Sequence, residues 1–294
     1  MNKSIFEKQN DDFILKCLAL QRIKYSEAKK YLNHKNVLTF LYAIVSIAGT
    51  VIDNDVSTAF VNLFSLILLL YSGFCDKRAS HLADLASEIQ KYVDVVLYTN
   101  GQNKNWEMLG RLLSREELEQ EINQYNPLNT ISCLNWYRNI PSNTLEEQIY
   151  HCQKENIQTD GRLKNHYLIF LISSGVIGIS IIMAFLISFY PEITALRVFY
   201  FFIWSVPVFS YIYNLCLGII SSLSSLKSMQ NICCQIENHL RDNDLEAHKN
   251  LLVDLQEKIQ KNRKILSFVP DWFFRIDNDI SKKIHKQSWV RKIT

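Results

Sequence analysis

Three polar side chains recur at helical spacing on the otherwise apolar face of one segment. A helix over 145–167 would place Gln153, Asn156 and Asp160 in a single row, because they are three and four residues apart. A buried amide or carboxylate needs a hydrogen-bond partner, so this polar row predicts an interface with other polar groups. Two interpretations remain open: a signal-sensing or gate-coupling element, and a hydrogen-bond network that fixes only the helix register.

Several cations and one tyrosine have the chemistry to hold an anionic signal. The candidates are Arg22, Lys24, Tyr25, Arg138 and Arg162. Arginine and lysine bind anionic oxygens through charge-assisted hydrogen bonds, and Arg162 closely follows the polar row. Cations that precede an apolar segment also mark the cytoplasmic end of a membrane helix. Arg22 and Lys24 therefore have a second explanation that needs no ligand.

The sequence lacks the common signatures of catalysis and metal binding. It contains no Gly-rich phosphate loop, no nucleophile elbow and no HExxH motif. Its eight glycines leave few tight backbone cradles. Its seven cysteines and seven histidines show no zinc-ligand spacing. We therefore expect no enzyme, no cofactor, no metal centre and no direct binding of nucleic-acid polymers.

Four long apolar segments organise the chain into two pairs. They cover 37–52, 56–75, 167–189 and roughly 195–220, and the linkers within the pairs are 53–55 and 190–194. A helix across a bilayer core needs about 20 apolar residues. Three segments reach that length, and the first is slightly short, which a locally thinned bilayer accommodates. Because such brief linkers force each pair to cross and return, the sequence predicts two transmembrane hairpins in a lipid bilayer.

The placement of charge orients both hairpins. Lys and Arg precede the first and third segments and follow the second and fourth, whereas the linkers contain Asp53, Asp55 and Glu192 and no cation. Only Arg197, just inside the fourth segment, runs against this trend. An excess of Lys and Arg marks the cytoplasmic side, so we expect both termini in the cytoplasm and both hairpin tips outside.

The remaining segments predict helices, because no stretch shows the alternation of a strand series. The predicted fold is an all-α membrane protein, with four transmembrane helices in two hairpins and a cytoplasmic helical domain. The predicted segments are 1–36 (cytoplasmic N-terminal helix), 37–75 (hairpin 1), 76–166 (cytoplasmic helical region), 167–220 (hairpin 2) and 221–294 (cytoplasmic C-terminal helices).

Capping residues and hydrophobic periodicity predict individual helices outside the membrane. A helix from about 11 should run directly into the first apolar segment. Ser114 starts a capping box, which predicts a short helix to about 125. Ser142 or Asn143 should cap the helix that carries the polar row and continues into the third apolar segment. Two further helices are predicted over about 222–241 and 244–266.

Few polar side chains lie inside the apolar segments. Asn62 and Asn214 are the strongest of them, and Ser174 with Gly178 forms a small-residue pair suited to close helix contact. Pro207 should kink the fourth segment, where freed backbone groups would either open a gate or only bend the helix. No Asp, Glu, Lys or His lies at mid-membrane depth, which argues against an ion-coupled transporter.

An aromatic segment and a basic tail end the chain. Trp272-Phe273-Phe274 follow Pro270 and would either pack against the helical domain or sit at the membrane interface as an anchor. The tail could lie on an anionic leaflet. Its basic residues are Lys282, Lys283, Lys286, Arg291 and Lys292.

Four groups of residues occur in order around the two hairpins. They are Gln21-Arg22-Ile23-Lys24-Tyr25-Ser26-Glu27-Ala28-Lys29; Ala86, Ile89, Gln90 and Asp94; Trp136-Tyr137 followed by Ile149, Cys152, Gln153, Asn156, Asp160, Arg162 and Leu163; and Arg263 with Val269-Pro270-Asp271-Trp272-Phe273. This ordered set spans nearly the whole chain and resembles the SMODS-associating four-transmembrane effector family. One position departs from the family pattern, because Thr159 stands where we expect Trp.

The resemblance implies a function that the residues alone do not indicate. Such proteins are regarded as pore-forming effectors of bacterial antiphage defence, associated with nucleotidyltransferases that make cyclic oligonucleotide signals. The resemblance therefore implies a multi-pass protein of the bacterial inner membrane. Its expected partner is a cyclic oligonucleotide or a cognate nucleotidyltransferase system.

Physical constraints limit how such an effector could work. Four helices without a charged lining enclose no aqueous lumen, so a pore would need a homo-oligomer or disruption of the bilayer. A signal would act by reorienting the helix that carries the polar row. The alternatives are a non-conducting membrane scaffold or sensor that recruits a soluble partner, and a small transporter, which the lack of intramembrane charge disfavours.

Overall fold

The computed structural model describes residues 4–51, 55–99, 112–127, 130–138, 144–189, 195–242, 245–265 and 269–279. Within these ranges the regular elements are all helices, and no strand is present. The predicted all-α class is therefore confirmed for the part of the chain that the structure describes.

Eight α-helices and one 3-10 turn make up the described chain. They are α1 (Ile5–Lys8), α2 (Asp12–Val51), α3 (Asp55–Tyr98), α4 (Arg115–Tyr125), the turn Ile131–Cys133, α5 (Leu145–Phe189), α6 (Ala195–Asp242), α7 (Leu245–Arg263) and α8 (271–279). Helices α2, α3, α5 and α6 contain 40, 44, 45 and 48 residues. At 1.5 Å per residue they are about 60–72 Å long, roughly twice the thickness of a bilayer core.

The ends of two helices test the capping predictions. The Ser114 hydroxyl accepts a hydrogen bond from the Glu117 N–H (3.1 Å), and the Glu117 carboxylate accepts one from the Ser114 N–H (2.7 Å). This confirms the capping box of α4, which ends at Asn126 in the left-handed conformation (φ 40°). For α5 the predicted cap was wrong, because Thr144 forms the reciprocal pair with Glu147. Ser142 and Asn143 lie outside the described residues.

Two long helices bear on the predicted boundaries. The helix that carries the polar row continues without a break from Leu145 to Phe189, as predicted. Helix α6 also continues through 220–222, where the sequence predicted a new helix. Within this stretch Ser222 is buried, and its hydroxyl accepts a hydrogen bond from Lys164 (2.7 Å). None of residues 220–222 is a proline, so the helix loses no backbone hydrogen bond there.

The helices divide into two compact units. The first comprises 1–31, 77–160 and 224–266, and the second comprises 32–76, 161–223 and 267–294. Helices α2, α3, α5 and α6 each contribute residues to both units. Helix α8 belongs to the second unit, together with the apolar segments.

The first unit is built around a conventional apolar core. Among the described residues, its largest fully buried side chains come from seven helices: Ile5 of α1, Leu18 and Leu20 of α2, Ile89, Leu97 and Tyr98 of α3, Leu118 of α4, Ile157 of α5, Met229 and Ile236 of α6, and Leu252 of α7. On α3 the apolar side chains of Leu82, Ile89 and Val93 recur at helical spacing and face this core. Burial of such side chains stabilises the unit by about 1.5–3 kcal/mol each.

The second unit exposes most of its apolar side chains. On α3 the exposed residues are Phe60, Leu63, Phe64, Leu66, Ile67, Leu69 and Leu70. Among the described residues one helical segment, Ala59–Tyr98, contains a stretch of 18 residues that is long and apolar enough to cross a membrane, with a mean hydropathy of 1.7 over that stretch. The other three predicted spans fall partly outside the residues whose side chains are described. A continuous exposed apolar surface of this kind fits contact with lipid.

Large-to-small substitution in the first unit should be costly. We expect Ile236→Ala to lower the free energy of unfolding by roughly 2–5 kcal/mol, because it leaves a cavity at a side chain that is 0% exposed. Urea unfolding in detergent micelles, followed by circular dichroism, measures the change. The matched control is Ile131→Ala, since Ile131 is 77% exposed and should change the free energy by less than about 0.5 kcal/mol. Equal effects of the two substitutions would contradict the described packing.

Candidate functional site

A buried carboxylate lies at the centre of the polar contacts in the first unit. Asp94 of α3 is 1% exposed. Its Oδ1 accepts a hydrogen bond from the Tyr137 hydroxyl (3.1 Å). Its Oδ2 accepts from Gln256 Nε2 (2.8 Å) and from Arg263 Nη1 (2.6 Å). The negative charge is therefore both paired and hydrogen-bonded, which a buried ion requires.

The polar row of α5 joins this centre. Asn156 donates to the Tyr137 hydroxyl (3.1 Å), and Gln153 donates to Gln256 Oε1 (3.0 Å) and to the Leu252 carbonyl (3.1 Å). Asn156 and Gln153 are thus one hydrogen bond away from the partners of Asp94. We call Asp94, Tyr137, Gln153, Asn156, Gln256 and Arg263 the Asp94 network.

The third member of the polar row makes a separate contact. Asp160 accepts a hydrogen bond from Asn262 Nδ2 (3.2 Å), so it also faces α7. All three side chains therefore meet polar groups across an interface, as their spacing indicated. Whether they sense a signal or couple to a gate stays a prediction.

The N-terminal segment holds the loop that carries Tyr137. The side chain of Gln9, which is buried, accepts from the Tyr137 N–H (2.8 Å) and donates to the Tyr137 carbonyl (3.2 Å). Beside it, Asn10 accepts from the Asn135 N–H and donates to the Asn135 side chain, both at 3.0 Å. Asn135 has φ 52°, a conformation that asparagine tolerates better than most residues. Sequence reasoning did not identify these two amides, because nothing local marks them.

Burial and nearby charges shift the pKa values of three side chains, Tyr137 and Arg263 of the network and Tyr25. Burial, and then the charge of Asp94, raises the pKa of the Tyr137 hydroxyl well above its ordinary value. Burial is the largest single influence on Arg263 and lowers its pKa, but electrostatic interactions with Asp94, Tyr137 and Tyr25 and the hydrogen bond to Asp94 together raise that pKa above its ordinary value. Burial also raises the pKa of Tyr25 to about 12. These groups therefore do not exchange protons near neutral pH, which suits a structural or coupling role better than acid–base catalysis.

Three buried amide atoms near the network lack a hydrogen-bond partner among the described residues. They are Oε1 of Gln21, Oε1 of Gln153 and Nε2 of Gln260. Gln260 does accept a hydrogen bond from the Ser87 hydroxyl (3.3 Å) through its other atom. A buried polar atom left unpaired costs roughly 1–3 kcal/mol.

The predicted anion-binding residues make separate contacts with carboxylates and aromatic rings. The Lys24 ammonium is buried, lies 2.7 Å from Glu121 and sits 3.5 Å from the Tyr125 ring centroid. Arg22 stacks its guanidinium 4.8 Å from the Trp136 ring. Arg138 is exposed and lies 3.4 Å from Glu155, whereas Arg162 is exposed in the second unit. An anionic ligand would have to displace a carboxylate to reach Lys24.

The predicted intramembrane residues belong to the second unit. Ser174 is exposed and its hydroxyl donates to the Phe170 carbonyl one turn earlier (2.7 Å). A Cβ built at Gly178 would meet nothing within 4 Å, so the described part of the chain makes no close helix contact there. Asn214 is exposed. The side chains of Asn62 and Pro207 lie outside the described residues, so their predicted roles stay predictions.

Comparison with known families assigns nearly the whole chain to a single domain. The family model of the SMODS-associating 4TM effector domain matches residues 3–287. The chain belongs to this family. Membership implies a membrane effector in antiphage signalling, associated with an SMODS nucleotidyltransferase signalling system. No curated protein and no solved structure matches the chain significantly.

Five residues from the groups that carried the resemblance meet in the first unit. Asp94, Tyr137, Gln153, Asn156 and Arg263 come from three separate motifs of this effector domain. The structure places all five in the Asp94 network. Only Gln256 comes from outside those motifs, and it joins Gln153 to Asp94.

Neutralising the central carboxylate should destabilise the first unit strongly. We expect Asp94→Asn to lower the free energy of unfolding by about 3–5 kcal/mol, because the mostly buried charge of Arg263 loses its counter-ion. Urea unfolding in detergent measures the loss. The double variant Asp94→Asn/Arg263→Gln should recover part of it. As a control, Glu119→Gln breaks the exposed pair with Arg115 and should leave the midpoint unchanged. Indistinguishable midpoints for Asp94→Asn and Glu119→Gln would refute the proposed importance of the network.

Two adjacent cysteines should differ in reactivity. Burial raises the pKa of the Cys233 thiol to about 11, whereas Cys234 is exposed. Maleimide reacts with the thiolate, and a raised pKa keeps Cys233 protonated below that pH. At pH 8 we expect rapid labelling of Cys234 and none of Cys233 in the folded protein. Mass spectrometry of the variants Cys233→Ser and Cys234→Ser checks this, and rapid labelling of Cys234→Ser at Cys233 would contradict the described burial.

Proposed function

We propose that this effector permeabilises the bacterial inner membrane when a cytoplasmic signal reaches its helical domain during phage infection. The signal is a cyclic oligonucleotide or a cognate nucleotidyltransferase system, and both termini lie in the cytoplasm. One observation carries the proposal: α3 and α5, which contribute Asp94, Gln153 and Asn156 to the Asp94 network, also carry two of the four apolar segments. Family membership supports the membrane and signalling parts of it.

Helical continuity supplies a route from signal to membrane. Helix α3 runs from Asp55 to Tyr98 and contains both Asp94 and the exposed apolar segment. Helix α5 runs from Leu145 to Phe189 and contains Gln153, Asn156 and a second apolar segment. A continuous α-helix is hydrogen-bonded along its whole length. A rotation or shift imposed at the network end is therefore passed along the same helix.

The Asp94 network has the properties of an element with two arrangements. Its charges are paired, while the Gln153 amide oxygen has no hydrogen-bond partner among the described residues and is free to take one in another arrangement. A ligand shifts such an equilibrium only by binding one state better than the other. An anionic signal would bind most strongly by replacing a carboxylate as the partner of a cation. The two such pairs are Arg263 with Asp94 and Lys24 with Glu121.

Conduction would require several copies of the chain. The apolar segments contain no Asp, Glu, Lys or His at mid-membrane depth, so one copy has no lining for an aqueous path. Ser174 and the open space beside Gly178 give α5 a face that a neighbouring helix could approach closely. We therefore propose a homo-oligomer as the active form.

Dye release tests the proposal directly. Purified full-length protein is reconstituted into liposomes loaded with a self-quenching dye, and cyclic oligonucleotides or the cognate nucleotidyltransferase with its substrates are added. Release that depends on the signal supports a pore. No release under any signal, together with retained binding of a soluble partner, would favour the non-conducting scaffold or sensor. Substrate uptake without dye release would favour a small transporter.

One substitution in the polar row should separate signalling from folding. We expect Asn156→Leu to abolish toxicity in cells while membrane insertion is retained, because the amide can no longer donate to the Tyr137 hydroxyl. Colony counts after induction measure toxicity, and membrane fractionation measures insertion. Asn123→Leu is the matched control, since Asn123 is exposed on α4 and its loss should leave toxicity intact. If Asn156→Leu remains fully toxic, the polar row is structural or dispensable.

A further inference from the structure

Helix α8 has a divided surface that the proposed pore does not explain. Its buried centre is formed by Phe273 and Asp277, which are four residues apart and share one face. Its polar side consists of Asp271, Arg275 and Asp279, again at intervals of four residues and all exposed. Apolar residues lie on the flanks between these two sides. The apolar surface of α8 is therefore wider than the face that is buried.

The buried centre fastens α8 to the second unit. Phe273 and Val269 pack with Tyr167 of α5 and Ile219 of α6, and the ring centroids of Phe273 and Tyr167 are 5.0 Å apart. The Asp277 carboxylate lies 2.6 Å from His166 Nδ1. Packing against α5 and α6 sets the position of α8 and the direction in which its flanks point.

The apolar flanks remain exposed although they belong to a packed helix. Trp272 and Ile276 are each 49% exposed and lie four residues apart on one flank, while Phe274 is 43% exposed on the other. Three large apolar side chains around a nine-residue helix are more than an aqueous surface usually leaves open. Something apolar should cover them.

The exposed flank is continuous with the lipid-facing surface of α5. The Trp272 ring contacts the Phe170 ring edge-to-face, with centroids 5.5 Å apart. Phe170 lies in the third apolar segment and is itself 40% exposed, beside the more exposed Ile169. Tryptophan concentrates where hydrocarbon meets headgroups, because its ring is apolar and its indole N–H is polar. The flank therefore lies where that boundary is expected.

We propose that α8 is an interfacial helix that lies in the headgroup region of the cytoplasmic leaflet, with Trp272, Phe274 and Ile276 in contact with lipid. In this position the side formed by Asp271, Arg275 and Asp279 faces water. The following residues, 280–294, contain five Lys or Arg and no Asp or Glu. That charge matches an anionic leaflet. The proposal depends on membrane residence and not on pore opening.

Tryptophan fluorescence in full-length protein tests the contact. Of the five tryptophans, 272 is kept and the other four are replaced by Phe, and the protein is reconstituted into vesicles of mixed zwitterionic and anionic lipid. Lipids brominated near the glycerol backbone should quench its emission roughly two-fold, and aqueous iodide should quench it weakly. A matched protein that keeps only Trp136, from the first unit, should show the reverse. Iodide quenching of Trp272 as strong as that of Trp136, without bromolipid quenching, would overturn the proposal.

A second measurement uses the unaltered chain and covers the case in which the single-tryptophan proteins do not fold. Lipid carrying a photoreactive diazirine near its headgroup is cross-linked in proteoliposomes, and labelled peptides are mapped by mass spectrometry. Labelling within 269–279 supports the interfacial helix. Absence of label there, when the apolar segment of α3 is labelled by lipid with a diazirine deep in its acyl chain, would overturn it. Both measurements remain decisive even if no dye release is ever observed, so the proposed pore can fail separately.

Discussion

Taking the Asp94 carboxylate out of water costs several kcal/mol unless other groups replace its hydration, and the polar contacts of the first unit follow from that requirement. Arg263 supplies the opposite charge, while Tyr137 and Gln256 supply further donors. These donors come from α7 and from the loop before α5, so the carboxylate of α3 can be satisfied only when these three parts of the chain are assembled. A single buried charge thus makes the assembly specific as well as stable.

The second unit obeys a different constraint, because its apolar side chains face outward. On α3 the exposed phenylalanines and leucines would be unfavourable in water and are neutral in hydrocarbon. Polar contacts occur at the ends of the apolar segments, as in the Lys35–Asp76 and Lys164–Ser222 pairs. Helix α8 follows the same rule, with its hydrogen-bonded and aromatic centre packed on α5 and α6 and its apolar flanks left open.

The sequence predicted some features accurately because their causes are local. A capping box needs only a Ser and a Glu three residues apart, so the start of α4 could be read directly. The predicted N-cap of α5, Ser142 or Asn143, was wrong, although Thr144 and Glu147 have the spacing of a capping box. The sequence also predicted a new helix from about 222, whereas α6 continues through that point, where Ser222 is held by Lys164, 58 residues earlier. No local rule identifies a partner at that distance.

The sequence by itself determined the helical class, the four apolar segments and the row formed by Gln153, Asn156 and Asp160, because periodicity and hydropathy act between near neighbours. Only the tertiary structure decided which partners that row meets. Gln153 meets Gln256, Asn156 meets the Tyr137 hydroxyl, and Asp160 meets Asn262. Two of the candidate cations, Lys24 and Arg138, already lie beside carboxylates. The physical reason is that a buried polar group selects partners by position in space, and positions far apart in sequence become neighbours only after the helices have packed.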